Sequence, residues 1–190
     1  MLTAETLRKH FDAAKPYAQY VATGSPDQQA NFKRVYDRVE LTSAQRSLLT
    51  GFVRAMPVLV TSGTWCGDCV NQCPIFARIA EANPKAIDLR FVDRDEHKAL
   101  ADHVKICGGH RVPTVIWMAE DFEFVHLMGD RTLSRYRAIA ATQLGPACPV
   151  PGAAADPADT AAVVQDWVDE FERVHLILRT SGRLRQKHGD

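Results

Sequence analysis

No apolar run in this chain approaches the ~20 residues that a membrane-spanning helix needs. Neither sign of charge is in excess, since 23 Lys and Arg balance 23 Asp and Glu. The first absence argues against a membrane partner. The second removes the long-range field that would steer the chain toward nucleic acid. Met1-Leu2-Thr3-Ala4-Glu5-Thr6-Leu7-Arg8 lacks the hydrophobic stretch of a signal peptide, so a cytoplasmic location is expected. Cysteines number only five, an odd count. In a compartment that keeps thiols reduced, this argues against a structural disulfide framework. No internal repeat is visible.

What is present is concentrated. Three of the five cysteines, Cys66, Cys69 and Cys73, fall within eight residues. Trp65-Cys66-Gly67-Asp68-Cys69 follows an apolar run, Pro57-Val58-Leu59-Val60, that reads as a buried strand. It precedes Val70 to Ala82, which reads as a helix. Two cysteines separated by two residues at a strand-to-helix junction form the signature of a thiol–disulfide redox site. With 46% apolar residues, the 190-residue chain can bury a sizeable core and suits one domain with extensions.

The flanks read as follows. Residues 3 to about 21 are expected to form one helix with Leu7, Phe11, Ala14 and Ala18 on a face. Ser25-Pro26-Asp27 supplies an N-cap and a first-turn proline for a second helix carrying Phe32, Val35, Tyr36 and Val39. A third starts after Thr42 with Leu48, Leu49, Phe52 and Val53 as its apolar face. Beyond the cysteines, Asp88 to Asp93 reads as a strand and His97 to Ile106 as a short helix ended by Cys107-Gly108-Gly109. Val112 to Trp117 and Phe122 to Leu127 read as a hairpin, and Thr132 to Leu144 as a helix. Helical crossovers between the first strands imply a partly parallel sheet. Gly145 to Thr160 reads as a linker. A last helix presents Val163, Val164, Trp167, Val168, Phe171, Val174 and Leu178 on one face, the pattern of docking on the body. The basic tail from Arg183 to Lys187 is expected to fray.

In Trp65, Cys66 and Cys69, the chain resembles the thioredoxin family. Pro74, five residues past Cys69, is similar to the proline in that family's active-site helix. Val112-Pro113-Thr114 resembles its cis-proline motif, and Gly129 a glycine after the hairpin. The resemblance covers about residues 55 to 143. It implies an α/β thioredoxin-like fold, a central mixed sheet flanked by helices, with an added helical N-terminus and a C-terminal helix. The implied division is a helical extension at 1–54 packed on the core, a thioredoxin-like domain at 55–144, a linker at 145–157, and a C-terminal helix and tail at 158–190. Two departures stand out. Asp68 replaces the family's proline, and Val60 replaces its buried acid six residues before the first cysteine. The resolving step then needs another base, such as Asp68 or water.

The implied activity is thiol–disulfide exchange without a cofactor beyond the redox-active Cys66–Cys69 disulfide. Cys66 attacks a substrate disulfide, and Cys69 resolves the mixed disulfide. Gly67 is expected to permit a tight turn and give substrate room. Trp65 is either a lid over the sulfurs or plain packing. Pro113, following Val112, offers an edge without an N–H. At a helix start, the dipole favours a Cys66 thiolate by ~0.3–1 kcal/mol. The charge of Asp68 opposes it by a similar amount, so a moderate pKa is expected rather than that of a strong oxidant. Implied partners are disulfide-containing proteins or small-thiol substrates, with a thioredoxin reductase or low-molecular-weight thiol as electron donor. Two alternatives stand beside this. One is a thioredoxin-fold adapter without redox turnover. The other is a metal-binding module built on Cys66, Cys69 and Cys73, with Cys107 or His110 as fourth ligand. Its spacing matches no usual cluster run. Otherwise Cys73 is a small buried hydrophobe, Cys107 a buried helix-end residue, Cys148 an exposed linker thiol, and His97, His103 and His110 solvated.

Overall fold

The computed structural model of the protein describes residues 2–143 and 160–190. Leu144, the end of the helix expected from Thr132, and the expected linker at 145–157, with Cys148, lie outside the described residues. Four strands form one mixed sheet in the order β2-β1-β3-β4, with β1 at Met56–Ser62, β2 at Ile87–Asp93, β3 at Thr114–Met118 and β4 at Phe124–Gly129. β1 runs parallel to β2, from Met56 opposite Ile87 to Ser62 opposite Asp93. The crossover between them is α5, Gly67–Ala82. β3 is antiparallel to β1 and forms the expected hairpin with β4.

β1 is buried along its whole length. Because successive side chains point to opposite faces, Val58 and Val60 join one core and Leu59 the other. The larger core holds α5, whose Ile75, Phe76 and Ile79 are fully buried. It also holds α2 (Tyr17–Val21), α3 (Pro26–Tyr36), α4 (Ser43–Thr50) and α8 (Thr160–Thr180). The smaller core packs α1 (Ala4–Ala13) and α6 (Lys98–His103) on the opposite face.

The N-terminal helices form where their caps dictate. Ser25 with Gln28 and Thr42 with Gln45 make reciprocal capping boxes for α3 and α4. The single helix expected over 3–21 is two. Ala14 is extended and Pro16 is a poor interior residue, so α1 stops and α2 restarts. Between them Lys15 exchanges two backbone hydrogen bonds with Phe91, at 2.9 and 2.8 Å, and so adds one antiparallel bridge to the edge of β2. Ala18 is exposed, and Tyr20 fills the core instead. Val39 and Phe52 reach the core from turns beyond α3 and α4, while Val53 is exposed rather than part of an apolar face.

Three further expectations are corrected. The helix over 97–106 spans only Lys98–His103. Cys107 is exposed, not a buried helix-end residue. It lies in a tight turn bridged by Ile106 and Gly109, where both Cys107 and Gly108 have positive φ. The basic tail is helical: α9 spans Gly182–His188 and buries Leu184. Lys187 and His188 both reach Glu120, at 2.5 and 2.8 Å. Arg183 pairs with Asp121, and the buried Arg54 with Asp190. The stripe on α8 docks as its spacing demands, from Val164 through Leu178. No helix among the described residues is long and apolar enough to cross a membrane.

Candidate active site

β1 ends at Ser62, and Gly63, Thr64 and Trp65 carry the chain into α5. Gly63 has a definite reason to be glycine. A Cβ there would meet the Trp65 indole at 2.6 Å. Trp65 lies over it, 51% exposed. The Arg94 guanidinium covers the ring 4.6 Å from its centroid, a stacking that holds an exposed indole in place.

Cys66 is the N-cap of α5, with extended backbone. It is half-buried, whereas Cys69 is fully buried, and both thiols are free. The two sulfurs interact. The Cys69 thiol and burial together push the Cys66 thiol well up, while the backbone N–H groups of Cys69 and Asp68 pull it down. The helix start thus acts in the expected direction and is outweighed. Gly67 does not serve a tight turn. It takes ordinary helical backbone, and a Cβ there would meet nothing.

Asp68 does not act on Cys66 as expected. Its carboxylate accepts a hydrogen bond from Arg131 at 2.5 Å. Its charge is therefore compensated, and it is directed away from a role as base for Cys69. Arg131 also pairs with Asp130 at 3.4 Å. Asp130, 4% exposed, is held further by Arg111 at 3.2 Å and by the Tyr136 hydroxyl. Burial pushes the Asp130 carboxyl up, but these donors together bring it below the usual carboxylate range. Its backbone carbonyl accepts from Gln72 of α5 at 2.6 Å, and the Gln72 side-chain oxygen accepts from the Trp167 indole of α8 at 3.0 Å.

Across from the cysteines, the Val112 carbonyl lies 3.6 Å from Cys66 Sγ. The Val112–Pro113 peptide bond is cis. Gly129, at the end of β4, presses against this loop: a Cβ there would meet the Pro113 carbonyl at 2.6 Å and Thr114 Cα at 3.0 Å. Trp65, Cys66, Cys69, Val112 and Pro113 thus meet at one end of the sheet. Cys73 lies deeper, with its sulfur 3.4 Å from Ser62 Oγ. Cys107 sits in its separate turn. His110 pairs with Asp102 at 2.8 Å, and His97 meets His10 at 3.0 Å. Among the described residues no three His, Cys, Asp or Glu side chains are grouped to hold a metal ion.

Arg131, Asp130, Gln72, Trp167, Arg94 and Ser62 all belong to this neighbourhood, and sequence reasoning assigned none of them to the site. The one local signal was Asp130-Arg131 directly after Gly129, a charged pair at a strand end.

A dithiol at the start of a helix that crosses between parallel strands, facing a proline loop, defines a thioredoxin-like site. A family model described as Thioredoxin matches residues 14–139. The chain belongs to the thioredoxin family. Among solved structures it is similar to a protein of unknown function from Pseudomonas aeruginosa. That match has a TM-score of 0.68 and 18% identity, covering 92% of this chain and 97% of the other. An HIV epitope-scaffold gives 0.67 at 17% identity, covering 88% and 95%. Mitochondrial thioredoxin 3 from Saccharomyces cerevisiae gives 0.34 at 21% identity, covering 50% and 86%. A comparison with curated proteins finds no match.

Proposed function

We propose that the protein is a thiol–disulfide oxidoreductase working through Cys66 and Cys69. The observation that carries this reading is the pairing of a half-buried sulfur at a helix start with a fully buried sulfur in contact with it. An accessible thiol can be reached by a substrate disulfide. A buried one is shielded from competing oxidants and meets only its neighbour. Cys66 loses its proton and attacks one substrate sulfur. The substrate S–S bond breaks, and the other sulfur leaves as a thiol. Cys69 then attacks Cys66, closing the Cys66–Cys69 disulfide and releasing the second substrate thiol. Two electrons pass from protein to substrate.

Substrates of this kind are disulfides of proteins or small thiols. A thioredoxin reductase or a low-molecular-weight thiol would restore the dithiol. Because Cys66 is pushed up, the reduced form is not specially favoured, which suits a reductant in a cytoplasm rather than a strong oxidant. Trp65 and the Val112-Pro113 edge border the sulfur a substrate would approach. In this reading residues 55–144 are the redox unit, and the helices on either side complete its core.

The test is reduction of insulin disulfides by dithiothreitol, with wild type, Cys66→Ser and Cys69→Ser. Wild type should accelerate the reaction, Cys66→Ser should abolish the acceleration, and Cys69→Ser should trap a mixed disulfide. Wild type no faster than dithiothreitol alone, or Cys66→Ser as fast as wild type, would overturn the reading and leave the adapter.

A further inference from the structure

The surface beside the cysteines is not flat. Arg94 and Asp95, just past the end of β2, line an open groove of about 530 Å³ together with Lys98, Ala101 and Asp102 of α6 and with His110. Pockets that hold small molecules have volumes of this order, ~300–1,000 Å³. The groove joins the redox site along one wall. Arg94 stacks on the Trp65 ring, and its Nη1 donates to the His110 carbonyl at 3.1 Å. Trp65 directly precedes Cys66. His110 lies two residues before Val112, whose carbonyl is 3.6 Å from Cys66 Sγ. One guanidinium thus borders both the groove and the exposed indole next to the accessible sulfur.

The lining is held in place by its own bonds. Arg94 grips Asp95 through Nε at 3.0 Å and Nη2 at 3.2 Å, and its backbone N–H donates to the Ser62 carbonyl at 2.8 Å. Asp102 is met by Lys105 at 2.9 Å and by His110 at 2.8 Å. Ala101 is small and buried, so it takes up little of the space. Both carboxylates of the lining therefore have their cations. Lys98 has no such partner: it is exposed and makes no ion pair among the described residues. Glu96, two residues before it, lines a different cavity with Tyr20 and His97. The groove is left with one uncompensated cation, in a chain whose formal net charge is zero.

We propose that this groove is a specificity pocket of the redox site, and that it takes the arm of a small, peptide-like disulfide carrying a carboxylate. This rests on the oxidoreductase reading above. Lys98 binds the carboxylate, and Arg94 with Trp65 forms the wall that leads from it to Cys66. The docked half of the disulfide bonds to Cys66 as the substrate S–S bond breaks, and the other half leaves with the electron pair and takes up a proton. Cys69 then bonds to Cys66 and releases the docked half as a second thiol. The protein dithiol gives up two electrons and two protons, and one substrate disulfide becomes two thiols. A wall fixed before the ligand arrives lowers the ordering cost of binding. Lys98 touches neither sulfur, so it selects the substrate and leaves the exchange itself unchanged.

The test uses the full chain, reduced, and the symmetrical disulfides of three capped tripeptides: cysteine, glycine and a third residue that is glutamate, glutamine or lysine. The rate at which each peptide closes the Cys66–Cys69 disulfide is read by acid quench and mass spectrometry. Wild type should react with the glutamate peptide about fivefold faster than with the glutamine peptide, the effect of one partly screened ion pair, and slowest with the lysine peptide. Lys98→Gln should bring the glutamate and glutamine rates within about twofold of each other, and Lys98→Glu should reverse the order. An unchanged rate with the glutamine peptide shows that the variant site is assembled. Reduction of insulin should not respond to Lys98→Gln. The proposal is overturned if wild type does not distinguish glutamate from glutamine, if the preference survives Lys98→Gln, or if insulin reduction falls in step with the glutamate peptide. If wild type reduces neither insulin nor any of the peptides, the oxidoreductase reading falls, and this proposal with it.

Discussion

Removing Arg131 should make Cys66 a weaker acid, because Asp68 would then stand uncompensated in the same helical turn. Asp68 and Arg131 are 20% and 26% exposed along their side chains and 2.5 Å apart, so the pair is only partly screened. Two unit charges about 6 Å apart, at an effective dielectric constant of about 40–80, interact by about 0.7–1.4 kcal/mol. That corresponds to about 0.5–1 pKa unit. Arg131→Ala should therefore raise the Cys66 pKa by about this amount. Attack at pH 7 should slow about three- to tenfold, since below the pKa the thiolate fraction falls in proportion. Asp68→Asn should do the opposite, leaving a cation beside the sulfur with only Asp130 to offset it. The double variant should lie near wild type. The assay is the rate of Cys66 alkylation by iodoacetamide against pH, followed on the Cys66 peptide by mass spectrometry. Shifts of the same sign in both single variants, or shifts below about 0.2 unit in both, would refute the claim that this ion pair sets the charge at the site.

Three other outcomes follow from the geometry. Trp167→Phe should lower unfolding free energy by about 1–3 kcal/mol in urea titrations, because it leaves the buried Gln72 side-chain oxygen without its donor. Gly129→Ala should cost about 1–3 kcal/mol through overpacking against the Pro113 carbonyl, and should depress insulin reduction more than a surface Gly182→Ala control. His10 and His97, whose ring nitrogens meet at 3.0 Å, are both held below the usual histidine range by burial, and His10 also by His97 itself. Folding thus favours their neutral forms. Their stabilisation is complete above the unfolded pKa of about 6.5 and is lost as pH falls through the lower folded values. The melting temperature should drop from pH 7.5 toward pH 5, and His97→Phe should flatten that slope.

What could be read from the sequence was what neighbours along the chain decide. The Cys66–Cys69 spacing, the Ser25 and Thr42 caps, the hairpin and the stripe on α8 are all local patterns, and each appears in the structure. The misreadings have local causes too. Periodicity alone runs the first helix through Pro16, and the Gly108-Gly109 pair, which has the look of a helix end, closes a separate turn at Ile106–Gly109. The remainder was illegible because docking decides it. Asp68 and Arg131 are 63 residues apart, and Gln72 and Trp167 are 95 apart. Nothing in either stretch announces its partner. Around Cys66 the sequence displays the helix start and Asp68, but not the Arg131 cation nor the burial and the Cys69 contact that push the thiol up.

Docking of α8 has a consequence beyond core burial. Trp167 fixes the Gln72 side chain, and the same side chain donates to the Asp130 carbonyl. Asp166, one residue earlier on α8, accepts from both the backbone and the hydroxyl of Ser134, at 2.8 and 2.6 Å, near the start of α7 (Leu133–Gln143). Asp130 and Arg131 lie between those two anchors, and Arg131 is the residue that neutralises Asp68 next to Cys66. Four fully or partly buried hydrogen bonds thus locate one guanidinium. A loop with the same sequence but no α8 against it would leave Arg131 free to follow solvent, and Asp68 would then act on the thiol as an exposed acid does. The C-terminal helix therefore belongs to the electrostatics of the site as well as to the core, although its apolar stripe accounts only for the second.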